Sequence, residues 1–210
     1  MFATKTHQDL WQKHRWFQGL PGSAQIATLY ACQALWWWLN RRRPRSILEI
    51  GGGIGCLSAV LARWRHQECN TEVSTVEDNP WCLEQWRKNL GSPPAIRLCA
   101  SIPRGTWDFV VVDGEQTTTA LWECLAHRAV IVVEGNRRAQ RAEITGALGR
   151  HGRAFCWAPW RPWDRSKGVW VLQADPRRWE RVWFRLVRGR EWARDLPWRL
   201  VGWPVGKGIR

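Results

Sequence analysis

The chain has 210 residues, 45% of them hydrophobic, and a net charge of +14 at pH 7. This length suits one domain with a single sizeable core, and the apolar content excludes a disordered chain. The charge is uneven: residues 51–150 are neutral, whereas residues 1–50 carry +5 and residues 151–210 carry +9. An anionic partner would therefore meet the ends of the chain rather than its middle.

Three features of the sequence bear on its location. The first nine residues are polar and lack the apolar core of a secretory signal. The uncharged residues 22–39 include Ser, Thr and Gln side chains and favour a buried helix over a membrane span. The seven cysteines form no CxxC pair, which is typical of reduced thiols. The sequence therefore predicts a cytoplasmic protein without a transmembrane segment, and it leaves the oligomeric state open.

Through the middle of the chain, predicted strands alternate with predicted helices. The strands cover residues 46–50, 71–78, 95–100, 107–114 and 129–135. Predicted helices follow the first, second, fourth and fifth of these strands and cover residues 56–66, 80–90, 117–126 and 137–149. The second helix has Asn79 as its N-cap and Gly91 as its stop. This alternation predicts an α/β fold with a doubly wound, mainly parallel sheet and helices on both faces.

The two ends of the chain predict further elements. Helices over residues 6–18 and 23–40 come first, and strands over residues 153–160 and 168–173, which favour a hairpin, bring the sheet to seven strands. A last helix starts near Pro176. Its apolar residues recur at helical spacing, which predicts that they face inward; they are Trp179, Val182, Trp183, Leu186 and Val187.

This pattern divides the chain into three parts. Residues 1–45 form a helical extension able to cover a pocket, residues 46–175 form the α/β core, and residues 176–210 form a basic, Trp/Arg-rich helix and tail. Nine of the 19 tryptophans lie after residue 150, interleaved with arginine. Aromatic and cationic side chains together suit a nucleic-acid surface. The sequence favours the other explanation, a coding bias toward arginine together with ordinary core and edge packing. The tryptophans most expected to be exposed lie in predicted loops: Trp160, Trp163, Trp198 and Trp203.

A glycine-rich string, Glu49-Ile50-Gly51-Gly52-Gly53-Ile54-Gly55, joins the first strand to its helix. Such a turn lets the backbone approach a ligand and points N–H groups and the positive helix end at an anion. The string does not fit the GxGxxG spacing of dinucleotide sites, because Cys56 and Ser58 stand where a further glycine is needed. With an acid two residues ahead of three alternate glycines, it resembles the first motif of class I S-adenosylmethionine-dependent methyltransferases.

The resemblance covers residues 47–148 and implies a Rossmann-like methyltransferase fold with S-adenosylmethionine as cofactor. It implies that Glu49, Gly51, Gly53 and Gly55 surround the methionine part of the cofactor. It places Glu77 at the ribose hydroxyls, with Asp78 as the fallback, and Ala100 and Ser101 near the adenine. Asp113, after the fourth strand, would contact the cofactor and face the reaction centre, and Glu134 is the second candidate catalytic residue.

A divalent metal is the weaker expectation. In catechol-type O-methyltransferases an Asp after the fourth strand and an Asp-Asn pair after the fifth bind a cation. Here Asp113 matches the first position, but Gly135 separates Glu134 from Asn136, and Glu replaces Asp. Oxygen ligands would suit Mg²⁺, yet this departure favours a site without metal. His127 is expected to end the preceding helix rather than to act as a base.

The sequence favours a small-molecule acceptor with an oxygen nucleophile. The sheet edge resembles the small-molecule enzymes, and strings typical of amino-group or cytosine C5 methylation do not follow the fourth strand. Two alternatives stay open: an RNA methyltransferase that uses the basic flanks, and a relative of the fold that binds cofactor or a partner without catalysis.

Overall fold

The computed structural model describes residues 4–91, 96–114, 119–135, 138–159 and 168–200. The strands are β1 (Ser46–Ile50), β2 (Glu72–Val76), β3 (Arg97–Cys99), β4 (Trp107–Val112), β5 (Leu125–Val133), β6 (Phe155–Pro159) and β7 (Trp170–Ala174). The helices are α1 (Thr4–Gln18), α2 (Leu29–Arg42), α3 (Cys56–Gln67), α4 (Pro80–Leu90), α5 (Arg138–Arg150) and α6 (Arg178–Leu200). Two 3₁₀ turns lie at Ser23–Gln25 and Thr119–Cys124.

The seven strands form one sheet in the order β3-β2-β1-β4-β5-β7-β6. Strands β1 to β5 are parallel, and β7 pairs antiparallel with both β5 and β6. This confirms the predicted doubly wound, mainly parallel sheet and the late hairpin. The chain order reverses between β1 and β4, and ligands of such sheets bind beyond the carboxyl ends of the strands at this point.

Both faces of the sheet are covered, because alternate residues of each central strand enter one of two cores. On one face Ile47 and Val111 pack with buried side chains of α2 and α3. On the other face Leu48 and Val110 pack with buried side chains of α5. The continuous apolar run in β4, which predicted a strand covered on both faces, is explained by this arrangement.

Two predicted helices differ from the structure. The helix expected over residues 23–40 begins at Leu29, where the Thr28 hydroxyl accepts a hydrogen bond from the Ala31 N–H at 3.1 Å. The helix expected over residues 117–126 is wrong: a 3₁₀ turn ends at Cys124, and residues 117–118 lie outside the described residues. Strand β5 then begins at Leu125, which pairs with Trp107 across a register shift.

This earlier start of β5 changes the position of His127. The residue lies within β5 and does not end a helix, as the sequence had indicated. Its side chain is 78% exposed and lies 3.5 Å from the Asp175 carboxylate. His127 therefore lies at the amino end of its strand, away from the edge at which ligands of this fold bind.

The inward stripe predicted for the last helix is wrong for four of its five residues, whereas the fifth, Val187, is half-buried and packs against the core. Trp179, Val182 and Leu186 are more than half exposed, whereas Glu180 and Phe184 are buried. The buried Glu180 carboxylate pairs with Arg128 at 2.6 Å and with Arg42 at 3.2 Å. These ion pairs, together with the packing of Phe184, turn the apolar stripe of α6 toward solvent. Trp198, expected in a loop, lies within α6, although its side chain is outside what the structure describes. Trp160, Trp163 and Trp203 lie outside the described residues altogether.

Candidate functional site

Five of the predicted site residues form one row along the carboxyl edge of the sheet. Each is the first residue after a parallel strand, and the register aligns them in the order Ala100, Glu77, Gly51, Asp113 and Glu134. Each of the last four residues donates its backbone N–H to the carbonyl of the last residue of a neighbouring strand in the sheet, at 2.9–3.1 Å. The neighbouring strand is the one whose end bears the previous residue of the row. With strands about 4.8 Å apart, the row spans about 19 Å. A ligand the size of a nucleoside could therefore contact several of these positions at once.

The glycine loop after β1 has left-handed backbone angles that only glycine adopts readily. Gly51, Gly53 and Gly55 have φ values of +86°, +51° and +99°. A Cβ on Gly53 would meet no atom within 4 Å, so this glycine faces open space. A Cβ on Gly51, by contrast, would lie 2.4 Å from the Gly114 nitrogen. Gly53 therefore borders the space available to a ligand, and Gly51 permits the close approach of two loops.

The Glu77 carboxylate, 8% exposed, is held by three backbone N–H groups. Its Oε2 atom accepts from Gly53 at 2.6 Å, and its Oε1 atom accepts from Asp78 at 3.0 Å and from Asn79 at 2.9 Å. A carboxylate has about four acceptor sites, so about one remains, on Oε2. Glu77 thus links the glycine loop to the start of α4, where the Asn79 side chain also accepts from the N–H groups of Trp81 and Cys82.

Glu49 lies near the end of β1, two residues before the glycine loop begins. The residue is fully buried, and its Oε2 atom accepts hydrogen bonds from Ser58 at 2.5 Å and from Thr75 at 2.6 Å. The Trp86 indole N–H donates to the same Ser58 hydroxyl at 2.8 Å. Burial raises the pKa of Glu49 to about 7, although the two hydroxyl hydrogen bonds lower it. These hydrogen bonds tie β1 to β2 and to α3, the helix that follows the loop.

Asp113 and Glu134 are neighbours at the end of the row, since Val112 pairs with Val133 in the register of β4 and β5. Asp113 is half-buried, and Glu134 is 9% exposed. The loop after β4 is fixed by Gln140 of α5, whose side-chain amide donates to the Gly114 carbonyl at 2.6 Å. Two acidic residues therefore follow adjacent strands, with Asp113 on the strand that pairs with β1 and Glu134 one strand further out.

Two of the three candidate metal ligands, Asp113 and Glu134, lie within the described part of the chain. Within the described ranges no group of three or more His, Cys, Asp or Glu side chains could hold a metal ion. Asn136, the third candidate ligand, lies outside the described residues. Ala100 and Ser101, the candidate adenine contacts, follow β3 and are exposed.

The segment between α1 and α2 lies over the glycine loop. A Cβ on Gly22 would lie 2.5 Å from the Trp81 ring and 3.1 Å from Ile54, so Gly22 packs closely against both. Trp81 belongs to the first turn of α4, and Ile54 belongs to the glycine loop itself. Sequence reasoning missed this contact, and also Thr75, Ser58, Trp86 and Gln140. Each of these residues acts through a partner distant in the sequence, so no local pattern identifies it.

Comparison with solved structures supports the fold. A methyltransferase from Podospora anserina, solved with S-adenosylhomocysteine, superposes with a TM-score of 0.56 and 13% identity over 82% of this chain and 97% of its own. A precorrin-6y C5,15-methyltransferase from Geobacter metallireducens superposes with a TM-score of 0.55 and 17% identity over 71% of this chain and 89% of its own. An O-methyltransferase from Bacillus cereus, also solved with S-adenosylhomocysteine, superposes with a TM-score of 0.53 and 13% identity over 83% of this chain and 92% of its own.

No protein-family model matches the sequence, and a search of curated proteins finds no significant match. The sheet order, the helices on both faces and these superpositions define the chain as a protein with the class I S-adenosylmethionine-dependent methyltransferase fold. Within the described part of the chain, no helix is long and apolar enough to cross a membrane.

Proposed function

We propose that this protein is an S-adenosylmethionine-dependent methyltransferase that transfers a methyl group to an oxygen atom of a small-molecule acceptor. The row of Ala100, Glu77, Gly51, Asp113 and Glu134 along one sheet edge is the observation that carries this proposal. It supports a nucleoside-binding half beside β2 and β3 and a reacting half beside β4 and β5. Solved structures of the same fold were crystallised with S-adenosylhomocysteine.

The residues present fit a sulfonium nucleoside. Open space adjoins Gly53, at the point where the loop meets the Glu77 carboxylate, and this arrangement suits the junction of the methionine and ribose parts. The exposed Ala100 and Ser101 would flank the adenine. Bound there, S-adenosylmethionine supplies a methyl group on a positively charged sulfur, which an acceptor oxygen can attack in line.

Glu77 would hold the ribose with the acceptor site that remains on its Oε2 atom. A single site binds one hydroxyl, so the second hydroxyl requires another acceptor or release of the Gly53 N–H. The exposed Asp78, adjacent in sequence, is suited to that second contact. Glu49 contributes indirectly, because its buried hydrogen bonds fix the two strands from which the loop and Glu77 emerge.

Asp113 and Glu134 would act on the acceptor. A carboxylate beside the reacting oxygen can hold the acceptor hydroxyl by a hydrogen bond and accept its proton as the new bond forms. The half-buried position of Asp113 and the burial of Glu134 limit water at this point, which strengthens such hydrogen bonds. This assignment needs no residue outside the described part of the chain.

The segment around Gly22 supports a small acceptor over RNA. It lies on Ile54 and Trp81 and so narrows access to the glycine loop from the side of α1 and α2. A small molecule can enter such a covered crevice, and a cover of this kind also excludes water during transfer. RNA methylation through the basic flanks is the alternative that the experiment must distinguish from methylation of a small molecule.

The seven free cysteines suit a reducing compartment, and we place the protein in the cytoplasm.

Calorimetry with S-adenosylhomocysteine, followed by transfer of a labelled methyl group, tests the proposal. We expect saturable one-site binding, and then label on a hydroxylated small molecule from a mixed panel but not on total RNA. Parallel assays with added Mg²⁺ and with a chelator address the metal hypothesis. Absence of binding contradicts the cofactor assignment, and label on RNA alone contradicts the acceptor class.

A further inference from the structure

The outer side of α6 carries an apolar stripe that faces solvent. Trp179, Val182, Trp183 and Leu186 are 53%, 54%, 41% and 63% exposed. They recur at i, i+3, i+4 and i+7, so they lie along one side of the helix. Soluble proteins normally expose large apolar side chains singly, and a contiguous exposed patch marks an interaction surface.

The stripe continues onto α2. The Trp183 ring packs edge-on against Trp38, with ring centres 6.3 Å apart, and Trp38 packs edge-on against Trp37 at 5.0 Å. Trp37 is itself 39% exposed, and the Arg41 guanidinium lies 5.7 Å above its ring. The α6 face is defined here as the five exposed side chains Trp37, Trp179, Val182, Trp183 and Leu186.

In the part of α6 whose side chains the structure describes, the exposed charges beside the α6 face are positive. The adjacent side of α6 carries four exposed arginines: Arg178, Arg181, Arg185 and Arg188. Among residues 178–189, whose side chains the structure describes, Glu180 is the one acidic residue, and it is buried in ion pairs with Arg42 and Arg128. Those ion pairs fix the rotation of the helix, so the apolar and cationic sides have set positions on the surface.

We propose that the α6 face docks on the surface of an anionic phospholipid bilayer. An amphipathic helix with aromatic and aliphatic residues on one side and arginines beside them lies in the plane of the membrane interface. Its apolar side chains enter the boundary between headgroups and acyl chains, while the arginines meet lipid phosphates. The proposal concerns binding alone and does not depend on methyl transfer.

Two other occupants fit the α6 face less well. A second copy of the chain would bring its four arginines toward these four, and like charges at an interface oppose association. RNA would satisfy the arginines and could stack on the tryptophans, but it would leave Val182 and Leu186 in water. These two aliphatic residues are more exposed than any tryptophan of the face. An anionic bilayer provides phosphates for the arginines and an apolar environment for both the tryptophans and the aliphatic side chains.

Flotation of the full chain with vesicles tests this docking. The vesicles are phosphatidylcholine alone, or phosphatidylcholine with about 30% phosphatidylglycerol. We expect flotation with the anionic vesicles, and at least about tenfold weaker partition onto the neutral ones, because each arginine near an anionic surface contributes about fivefold. Absence of flotation with anionic vesicles overturns the proposal.

Variants at exposed positions identify the face. The double variant V182Q/L186Q should reduce partition onto anionic vesicles by at least about tenfold, since two aliphatic side chains leave the bilayer. W179Q should also reduce partition, whereas W11Q, an equally simple change at a 44% exposed tryptophan of α1, should not. Circular dichroism confirms that each variant is folded.

The same variants separate the other occupants. Unchanged flotation of V182Q/L186Q overturns the proposal. A dimer that light scattering detects without vesicles, and that V182Q/L186Q dissociates, assigns the face to a second copy. If W179Q weakens retention on single-stranded RNA while V182Q/L186Q leaves flotation unchanged, the face is an RNA surface. Calorimetry with S-adenosylhomocysteine on the same samples shows separately whether the cofactor site functions.

Discussion

Gly51 and Gly114 are in backbone contact across the carboxyl ends of β1 and β4. A Cβ on Gly51 would lie 2.4 Å from the Gly114 nitrogen, and a Cβ on Gly114 would lie 3.2 Å from the Gly51 Cα. The Ile50 carbonyl also accepts the N–H groups of Asp113 and Gly114, at 2.9 Å and 3.2 Å. The glycine loop and the loop that carries Asp113 therefore form one rigid unit.

From this contact we predict that Gly51→Ala strongly destabilises the fold. The new methyl group would displace backbone, which costs about 1–3 kcal/mol, and the left-handed φ of +86° adds about 1–2 kcal/mol. Urea unfolding measures the loss of unfolding free energy. Gly149→Ala is the control, because a Cβ there would meet no atom within 4 Å. A Gly51→Ala protein as stable as the wild type would contradict the described contact.

Gly53→Ala should separate cofactor binding from folding. Its Cβ enters open space, so the cost to stability is that of a left-handed residue, about 1–2 kcal/mol. The same methyl group would occupy the space proposed for the cofactor, so we expect binding of S-adenosylhomocysteine to weaken at least about tenfold. Calorimetry measures the affinity.

Gly152→Ala is the matched control for this substitution. Gly152 also has a left-handed φ, +65°, and a Cβ there also meets no atom within 4 Å, but it lies between α5 and the start of β6, at the opposite edge of the sheet from the loop. We expect a similar loss of stability and an unchanged affinity. Equal affinities for the two variants would mean that the cofactor lies elsewhere.

Glu49 should make stability fall as the pH rises. Burial raises the pKa of Glu49 to about 7 in the folded state, from 4.5 for the ordinary side chain. Between these values the folded state binds the proton and the unfolded state does not, so the unfolding free energy decreases with pH. The decrease amounts to about 3 kcal/mol, at about 1.4 kcal/mol per pH unit.

The variant Glu49→Gln keeps the shape of the side chain and removes its titration. We expect it to gain stability relative to the wild type as the pH rises from about 5 to about 8. Urea unfolding at several pH values within this range measures the difference. Glu72→Gln, at an exposed position of β2, is the control. A difference between Glu49→Gln and wild type that does not vary with pH would contradict the raised pKa.

The contribution of Glu180 to the unfolding free energy increases with pH, and it does so at lower pH than the effect of Glu49. Burial alone would raise the pKa of Glu180, but hydrogen bonds from neighbouring side chains and from the Arg177 N–H lower it to about 2. The stabilisation is therefore complete above about pH 4.5 and is lost as the pH falls toward 2. Glu180→Gln should cost about 3–5 kcal/mol near neutral pH, because Arg42 and Arg128 lose their counter-ion.

Urea unfolding of Glu180→Gln at neutral and acidic pH tests this prediction. The difference from wild type should shrink as the pH falls below about 4.5. Glu84→Gln, at an exposed position of α4, provides the comparison. A loss of less than about 1 kcal/mol at neutral pH would mean that the two ion pairs contribute no more than surface pairs do.

Trp81→Ala should loosen the cover over the glycine loop. The Trp81 ring packs against Gly22, so its removal frees the segment between α1 and α2. If that segment retains the cofactor, S-adenosylhomocysteine should dissociate faster, on the order of tenfold, with little change in the association rate. Surface plasmon resonance measures both rates. Trp11→Ala removes an exposed tryptophan of α1 and should change neither rate.

The sequence correctly predicted those helices and strands that are determined by interactions between residues close together in the chain. Helix α4 runs from Pro80 to Leu90 as expected, because the Asn79 side chain caps its first turn and Gly91 takes the left-handed conformation at its end. Strand β1 has the predicted bounds, and the alternation of elements predicted the parallel sheet. The site row follows from the same pattern, since each member is the first residue after a strand.

What the sequence determined by itself was therefore the order of elements and the edge at which candidate site residues gather, since caps, turns and periodicity act within a few residues. Tertiary structure alone decided which way Glu49 and the stripe of α6 face. Thr75, a partner of Glu49, lies 26 positions away, and the arginines that pair with Glu180 lie 52 and 138 positions away. Burial of a charged group depends on such distant partners, and the hydrophobic periodicity of a sequence contains no information about them.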